Sequence, residues 1–114
     1  MIPESSIITA IGHYLGCLER LKRLKFIRNN SGAMPLSYKG RQRFVRFGKE
    51  GSSDFIIFLP KGITIFIEAK SDTGKQSFEQ IEFEGRITML GYKYYLIRTF
   101  DEAKEIVDLY LKGK

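Results

Sequence analysis

The chain has 114 residues, 43% of them hydrophobic, which is enough for one domain with a single modest core and too short for two. Its formal charge of +6 is concentrated: residues 19–50 carry ten basic side chains against two acidic ones, whereas residues 1–18 and 51–114 each carry a net −1. The lone cysteine, Cys17, excludes an internal disulfide and a thiolate zinc site, and no apolar run approaches the roughly 18 residues that span a bilayer.

These features predict a protein of a reducing, cytoplasmic compartment with no membrane segment, in which Cys17 serves packing. A basic segment of this kind is an electrostatic footprint for a polyanion, because neutralised phosphates release counterions. A solvated surface is the alternative that charge alone leaves open.

Pro3 suits the first turn of a helix, and Ile7, Ile8, Ile11, Tyr14, Leu15, Leu18 and Leu21 follow at three-to-four spacing, predicting an amphipathic helix over residues 3–23. Glu4 falls on the inward edge of that stripe, while His13 lies on its flank and reads as an ordinary surface or packing histidine. Residues 25–30 (KFIRNN) suit a short strand, and residues 31–40, rich in Ser, Gly and Pro, a loop. RQRFVRF, 41–47, alternates basic and apolar residues and reads as a strand or ribbon with a charged face.

Two apolar runs follow within SDFIIFLPKGITIFIEAK, residues 53–70, and only Pro60-Lys61-Gly62 separates them, which predicts an antiparallel hairpin. Residues 71–75 form a loop whose Gly74-Lys75 lacks the spacing of a phosphate-binding loop. Residues 77–90 return to helical spacing with Phe78, Ile81, Phe83, Ile87 and Leu90. Tyr92–Arg98 is a final strand whose three tyrosines suit the core better than base stacking, and residues 101–112 close the chain as a helix with Ala103, Ile106, Val107, Tyr110 and Leu111 inward. Helix, three or four strands, helix, strand, helix predicts an α/β domain with one mixed sheet flanked by helices.

The hairpin also carries charge at both ends. Alternation puts Glu68 and Lys70 on one face of their strand, about 6–7 Å apart, and counting back across the turn sets Asp54 opposite Glu68. Two adjoining carboxylates each resist ionisation near the other, and a hard divalent cation resolves that conflict. Mg²⁺ or Mn²⁺ would take Asp54, Glu68 and a backbone carbonyl between the acid and the lysine, that of Ala69, while Lys70 positions or helps deprotonate a water. A surface ion pair at a strand end is the alternative for Glu68 and Lys70.

Ser53-Asp54 followed by Glu68-Ala69-Lys70 resembles the PD-(D/E)XK nuclease signature. Together with Glu4, the Gly51-Ser52-Ser53-Asp54 approach, the Gly74 loop, and Gln80 with Phe83, it is similar to the VRR-NUC branch, the virus-type replication and repair nucleases. The likeness runs over nearly the whole chain, with Ser53 in place of the family's proline. It implies a restriction-endonuclease-like sheet in the order α-β-β-β-β-α-β-α and a Mg²⁺- or Mn²⁺-dependent endonuclease. Glu4 would complete the acidic cluster and Gln80 would orient the water or the lysine. A helix-dipole acid and a solvated helix position are their respective alternatives. Arg41, Arg43, Arg46 and Lys49 would track phosphates rather than read bases. The expected partners are DNA, branched as in four-way junctions, and a second copy in a homodimer. A non-catalytic nucleic-acid-binding module, or a nuclease subunit targeted by a partner, are the rival readings.

Overall fold

The computed structural model describes residues 2–29, 33–38, 41–46 and 51–112, and for 33–38 and 41–46 the backbone alone. In chain order it forms α1 (Glu4–Arg20), β1 (Lys25–Arg28), β2 (Ala33–Tyr38), β3 (Arg41–Arg46), β4 (Phe55–Leu59), β5 (Ile63–Ala69), α2 (Phe78–Met89), β6 (Lys93–Ile97) and α3 (Phe100–Leu111). A four-stranded sheet runs β1-β4-β5-β6; β1, β4 and β5 are antiparallel neighbours, whereas β6 lies parallel to β5. The expected mixed sheet flanked by helices is present.

One segment departs from expectation. Residues 31–40, read as a loop, contain β2, which pairs with β3 in a separate two-stranded ribbon. Pro35 misleads the sequence reading because it cannot donate to a ladder. In a ribbon of two strands both strands are edges, and a proline is accommodated there.

The helix boundaries follow capping chemistry. α1 stops at Arg20, short of residue 23, because Lys22 takes a left-handed φ of 61° and Arg23 N–H bonds back to the Leu18 carbonyl at 3.0 Å. Leu21 therefore leaves the apolar stripe and is 69% exposed. Cys17 is also exposed rather than packed, with an Arg20 guanidinium nitrogen 3.3 Å from its sulfur. α2 and α3 each open with a reciprocal capping box, Ser77 with Gln80 and Thr99 with Glu102.

Alternation sorts the sheet into two unlike faces. Phe55, Ile57 and Leu59 of β4, Ile65, Ile67 and Ala69 of β5, and Ile97 of β6 are buried against Ile7, Ile11, Leu15 and Leu18 of α1 and Ala103, Val107 and Leu111 of α3. Phe66 looks the other way, toward α2, where its ring meets Phe83 at a centroid distance of 6.0 Å. That second face is thinly covered. No residue of α2 is buried: Phe78 is 78% and Met89 83% exposed, and Ile81 and Leu90 are exposed as well.

Two glycines separate local strain from packing. Gly62, at φ 72°, turns the hairpin and has open space where a Cβ would go, but Gly51, at φ 83°, would drive a Cβ to 2.5 Å from the Glu79 carbonyl oxygen at the start of α2. Both Gly→Ala changes incur the left-handed penalty of about 1–2 kcal/mol. Gly51→Ala should lose clearly more stability than Gly62→Ala in urea denaturation; equal losses would show that residues 51–54 do not lie against α2 as described.

Candidate active site

The β4–β5 ladder ends at Phe55 opposite Ile67, so the next step outward brings Asp54 beside Glu68, as the hairpin count requires. The Asp54 Oδ2 accepts a hydrogen bond from the Ala69 N–H at 2.8 Å, and the Asp54 carbonyl accepts from Asn29 N–H at 2.8 Å. Asp54 is thereby tied to both neighbouring strands. Ser53, fully buried, bonds through its hydroxyl to the Phe55 carbonyl at 3.0 Å and stiffens the same approach.

Glu68 is 1% exposed, an unusual place for a carboxylate. Its Oε1 accepts a hydrogen bond from the Tyr94 hydroxyl. Its Oε2 is buried and has no hydrogen-bond partner; Lys70 Nζ, on a side chain only 12% exposed, stands 3.9 Å from it, beyond hydrogen-bonding range. Half of this carboxylate is thus satisfied and half is not.

Burial pushes the Glu68 carboxyl above its ordinary range, against the opposing pull of the Tyr94 bond and Lys70, with Asp54 and Glu84 adding to the rise. Burial likewise raises Asp54, opposed by the Ala69 N–H, while nearby Glu4 pushes up and Lys70 and Arg28 pull down. Glu4, in the first turn of α1, therefore stands within electrostatic reach of Asp54. The site lies at the end of the sheet where Asp54, Glu68 and Lys70 come together; Glu4 acts on Asp54 through its charge, and among the described residues it does not join the two carboxylates in a three-membered acidic cluster that could hold a metal.

Gln80 is placed differently. Its amide oxygen accepts from Ser77 N–H at 2.8 Å in the capping box of α2, a sufficient structural reason for a glutamine there. Of the basic candidates, Arg41, Arg43 and Arg46 lie on β3, whose backbone alone is described, and Lys49 lies outside the described residues. Arg28, at the end of β1, is a cation near Asp54 that the sequence reading did not single out.

Two further residues escape sequence reasoning. Tyr94 reaches Glu68 only because β6 runs parallel to β5 with Tyr94 opposite Phe66. Arg98 donates from one guanidinium nitrogen to the carbonyls of Ser71 at 2.6 Å, Asp72 at 3.3 Å and Gly74 at 2.9 Å, fastening the loop that follows Lys70. That loop packs on the lysine stem: a Cβ on Gly74 would lie 3.5 Å from Lys70 Cδ.

The raised carboxyls have a consequence for stability. The folded state favours their protonated forms, so their contribution is fully present below the ordinary carboxylate range and is lost as pH rises through the raised values. In EDTA at pH 7.5, Glu68→Gln should melt about 4 °C or more above the unsubstituted protein, and the gap should close on acidification toward pH 4. A less stable Glu68→Gln at pH 7.5 would mean that the buried carboxylate is fully compensated without a ligand.

No family model and no curated protein matches the chain. Among solved structures, a chain described as a VRR_NUC domain is similar to it over 94% of this chain and 96% of that one, with a TM-score of 0.55 and 21% sequence identity. At that identity the likeness concerns the fold, and it runs nearly end to end in both molecules. The chain has the fold of a VRR_NUC domain.

Proposed function

We propose that this chain is a Mg²⁺- or Mn²⁺-dependent endodeoxyribonuclease that hydrolyses phosphodiesters in branched DNA, four-way junctions among them, acting as a homodimer. The observation that carries the reading is the buried Glu68 Oε2, which accepts no hydrogen bond and has only a long ion pair, 3.9 Å, to Lys70, with Asp54 adding charge beside it. A buried carboxylate oxygen with no hydrogen bond and only a loose ion pair carries a desolvation cost that a bound cation would offset.

The donor set suits a hard ion. Asp54 and Glu68 offer carboxylate oxygens, with the Ala69 carbonyl between Glu68 and Lys70 in sequence; among the described residues no third His, Cys, Asp or Glu joins them in a metal-holding group, so water and substrate oxygens would have to complete the shell. Mg²⁺ accepts one or two carboxylates and completes its shell with water and substrate phosphate. Bound there, it would supply Lewis-acid stabilisation of charge on the scissile phosphate.

The remaining roles belong to the chain. Lys70 faces the open side of Glu68, where its ammonium can orient the attacking water, assist in its deprotonation and balance charge on phosphoryl oxygens. Glu4 adds negative potential beside Asp54. Gln80 has its oxygen committed to the α2 cap, which leaves its amide nitrogen to orient the water or the lysine. Arg41, Arg43, Arg46 and Lys49 supply phosphate contacts that are blind to sequence, which directs specificity toward DNA shape. Two active sites in a symmetric pair match the two strands that resolving a junction requires cutting.

The test is a cleavage panel of linear, flap and four-way DNA with Mg²⁺ or EDTA. Cleavage of the branched substrates should require Mg²⁺, and Asp54→Asn, Glu68→Gln and Lys70→Ala should each lower the rate by about 10²-fold or more. Tight binding without cleavage by the unsubstituted chain would favour the non-catalytic module instead. Separately, replacing Arg41, Arg43 and Arg46 together with alanine should weaken DNA binding and flatten the slope of log affinity against log salt by about 0.9 for each phosphate no longer neutralised; an unchanged slope would refute the phosphate role.

A further inference from the structure

Tyr94 is held on three sides. Its ring packs against Phe83 of α2 at a centroid distance of 6.3 Å, its hydroxyl bonds to Glu68 Oε1, and the Gln76 side chain also reaches the phenol. Gln76 in turn donates to Glu84 Oε1 of α2 at 2.9 Å. The single phenolic proton therefore has one carboxylate to serve, and that carboxylate is Glu68.

A glutamate carboxylate turns easily about its last torsion and can present either oxygen. Here the two oxygens are unlike: Oε1 is occupied by Tyr94, and Oε2 is left bare 3.9 Å from Lys70 Nζ. A phenol-to-carboxylate bond is charge-assisted and directional, so it sets which oxygen faces the site.

We propose that Tyr94 is a positioning residue for metal binding, holding Glu68 Oε1 so that Oε2 stays turned toward the space between Asp54 and Lys70. The inference rests on the metal site put forward above. It assigns Tyr94 neither contact with substrate nor a proton-transfer step. Partners of this kind that orient a ligating carboxylate are worth about 10–100-fold in metal affinity.

The test is calorimetric titration of the full chain with Mn²⁺ at pH 7.5, without DNA, on the unsubstituted protein, Tyr94→Phe and Tyr95→Phe. Tyr95 is the control because it loses an equivalent hydroxyl from the same strand, one bonded to the Tyr110 hydroxyl at 2.6 Å. Tyr94→Phe keeps the ring and should bind Mn²⁺ about 10–100-fold more weakly, with a raised Mn²⁺ requirement for cleavage, while Tyr95→Phe matches the unsubstituted protein. Suppose instead that the bond only satisfies a buried carboxylate. Its removal would leave Glu68 shorter of partners, and Mn²⁺ would bind Tyr94→Phe equally or more tightly, overturning the role of Tyr94 alone. Failure of the unsubstituted protein to bind Mn²⁺ would overturn the metal site and this role with it. Equal weakening in both variants would assign the effect to general loosening of β6 and would also refute the proposal.

Discussion

The register of one hairpin governs the rest of the structure. Because β4 and β5 pair Phe55 with Ile67 around a tight turn at Pro60–Gly62, Asp54 has nowhere to go but beside Glu68. A slip of β5 by one residue would exchange its two faces, sending Ile65 and Ile67 out of the core and turning Glu68 into it. The apolar face thus fixes the position of the acidic one. The bond from Ala69 N–H to Asp54 then fastens the register at the open end, where the ladder itself has stopped.

Burial and charge oppose each other within that arrangement. Core residues on one face of β5 are fully buried beneath α1 and α3, while on the other face of the same strand Glu68 is equally buried and only half bonded. A hydrophobic side chain at that position would be stable and inert. Tyr94, Lys70 and Asp54 gather round the carboxylate, and one of its oxygens is still left without a hydrogen bond. Such residual frustration is common where binding sites interrupt otherwise consistent folds.

The hairpin and its charged ends were legible in the sequence because both depend on short-range rules: a period of two, a turn of fixed length and a count across it. The helices were legible from their spacing, with ends misjudged at Lys22, whose left-handed backbone no composition rule announces. β2 was hidden because Pro35 and its Ser- and Gly-rich surroundings carry the signature of a loop. Tyr94 and Arg98 were illegible for a different reason. Their proximity to Glu68 and Lys70 depends on a parallel pairing made after α2 has crossed over, and no turn sets that register. The 3.6-residue period that identified α2 also said nothing of how much of it the sheet would cover.

That sparse cover makes α2 a helix secured more by its ends than by its face. Ser77 and Gln80 cap its start, Gln76 tethers Glu84, and Gly91 and Tyr92 bond back to the Thr88 and Ile87 carbonyls at 3.0 and 3.1 Å. Since no residue of α2 is itself buried, few of its own contacts oppose its lifting beyond the Phe66–Phe83 ring pair, and segments with few buried contacts open at lower cost than the whole fold. The four-stranded sheet and the α1–α3 layer can outlast it. α2 carries Phe83, whose ring meets Tyr94 at 6.3 Å, and Glu84, whose charge acts on the same phenol. Lifting α2 would bring water to the Phe66 and Tyr94 face of the sheet while the core beneath α1 and α3 stays covered.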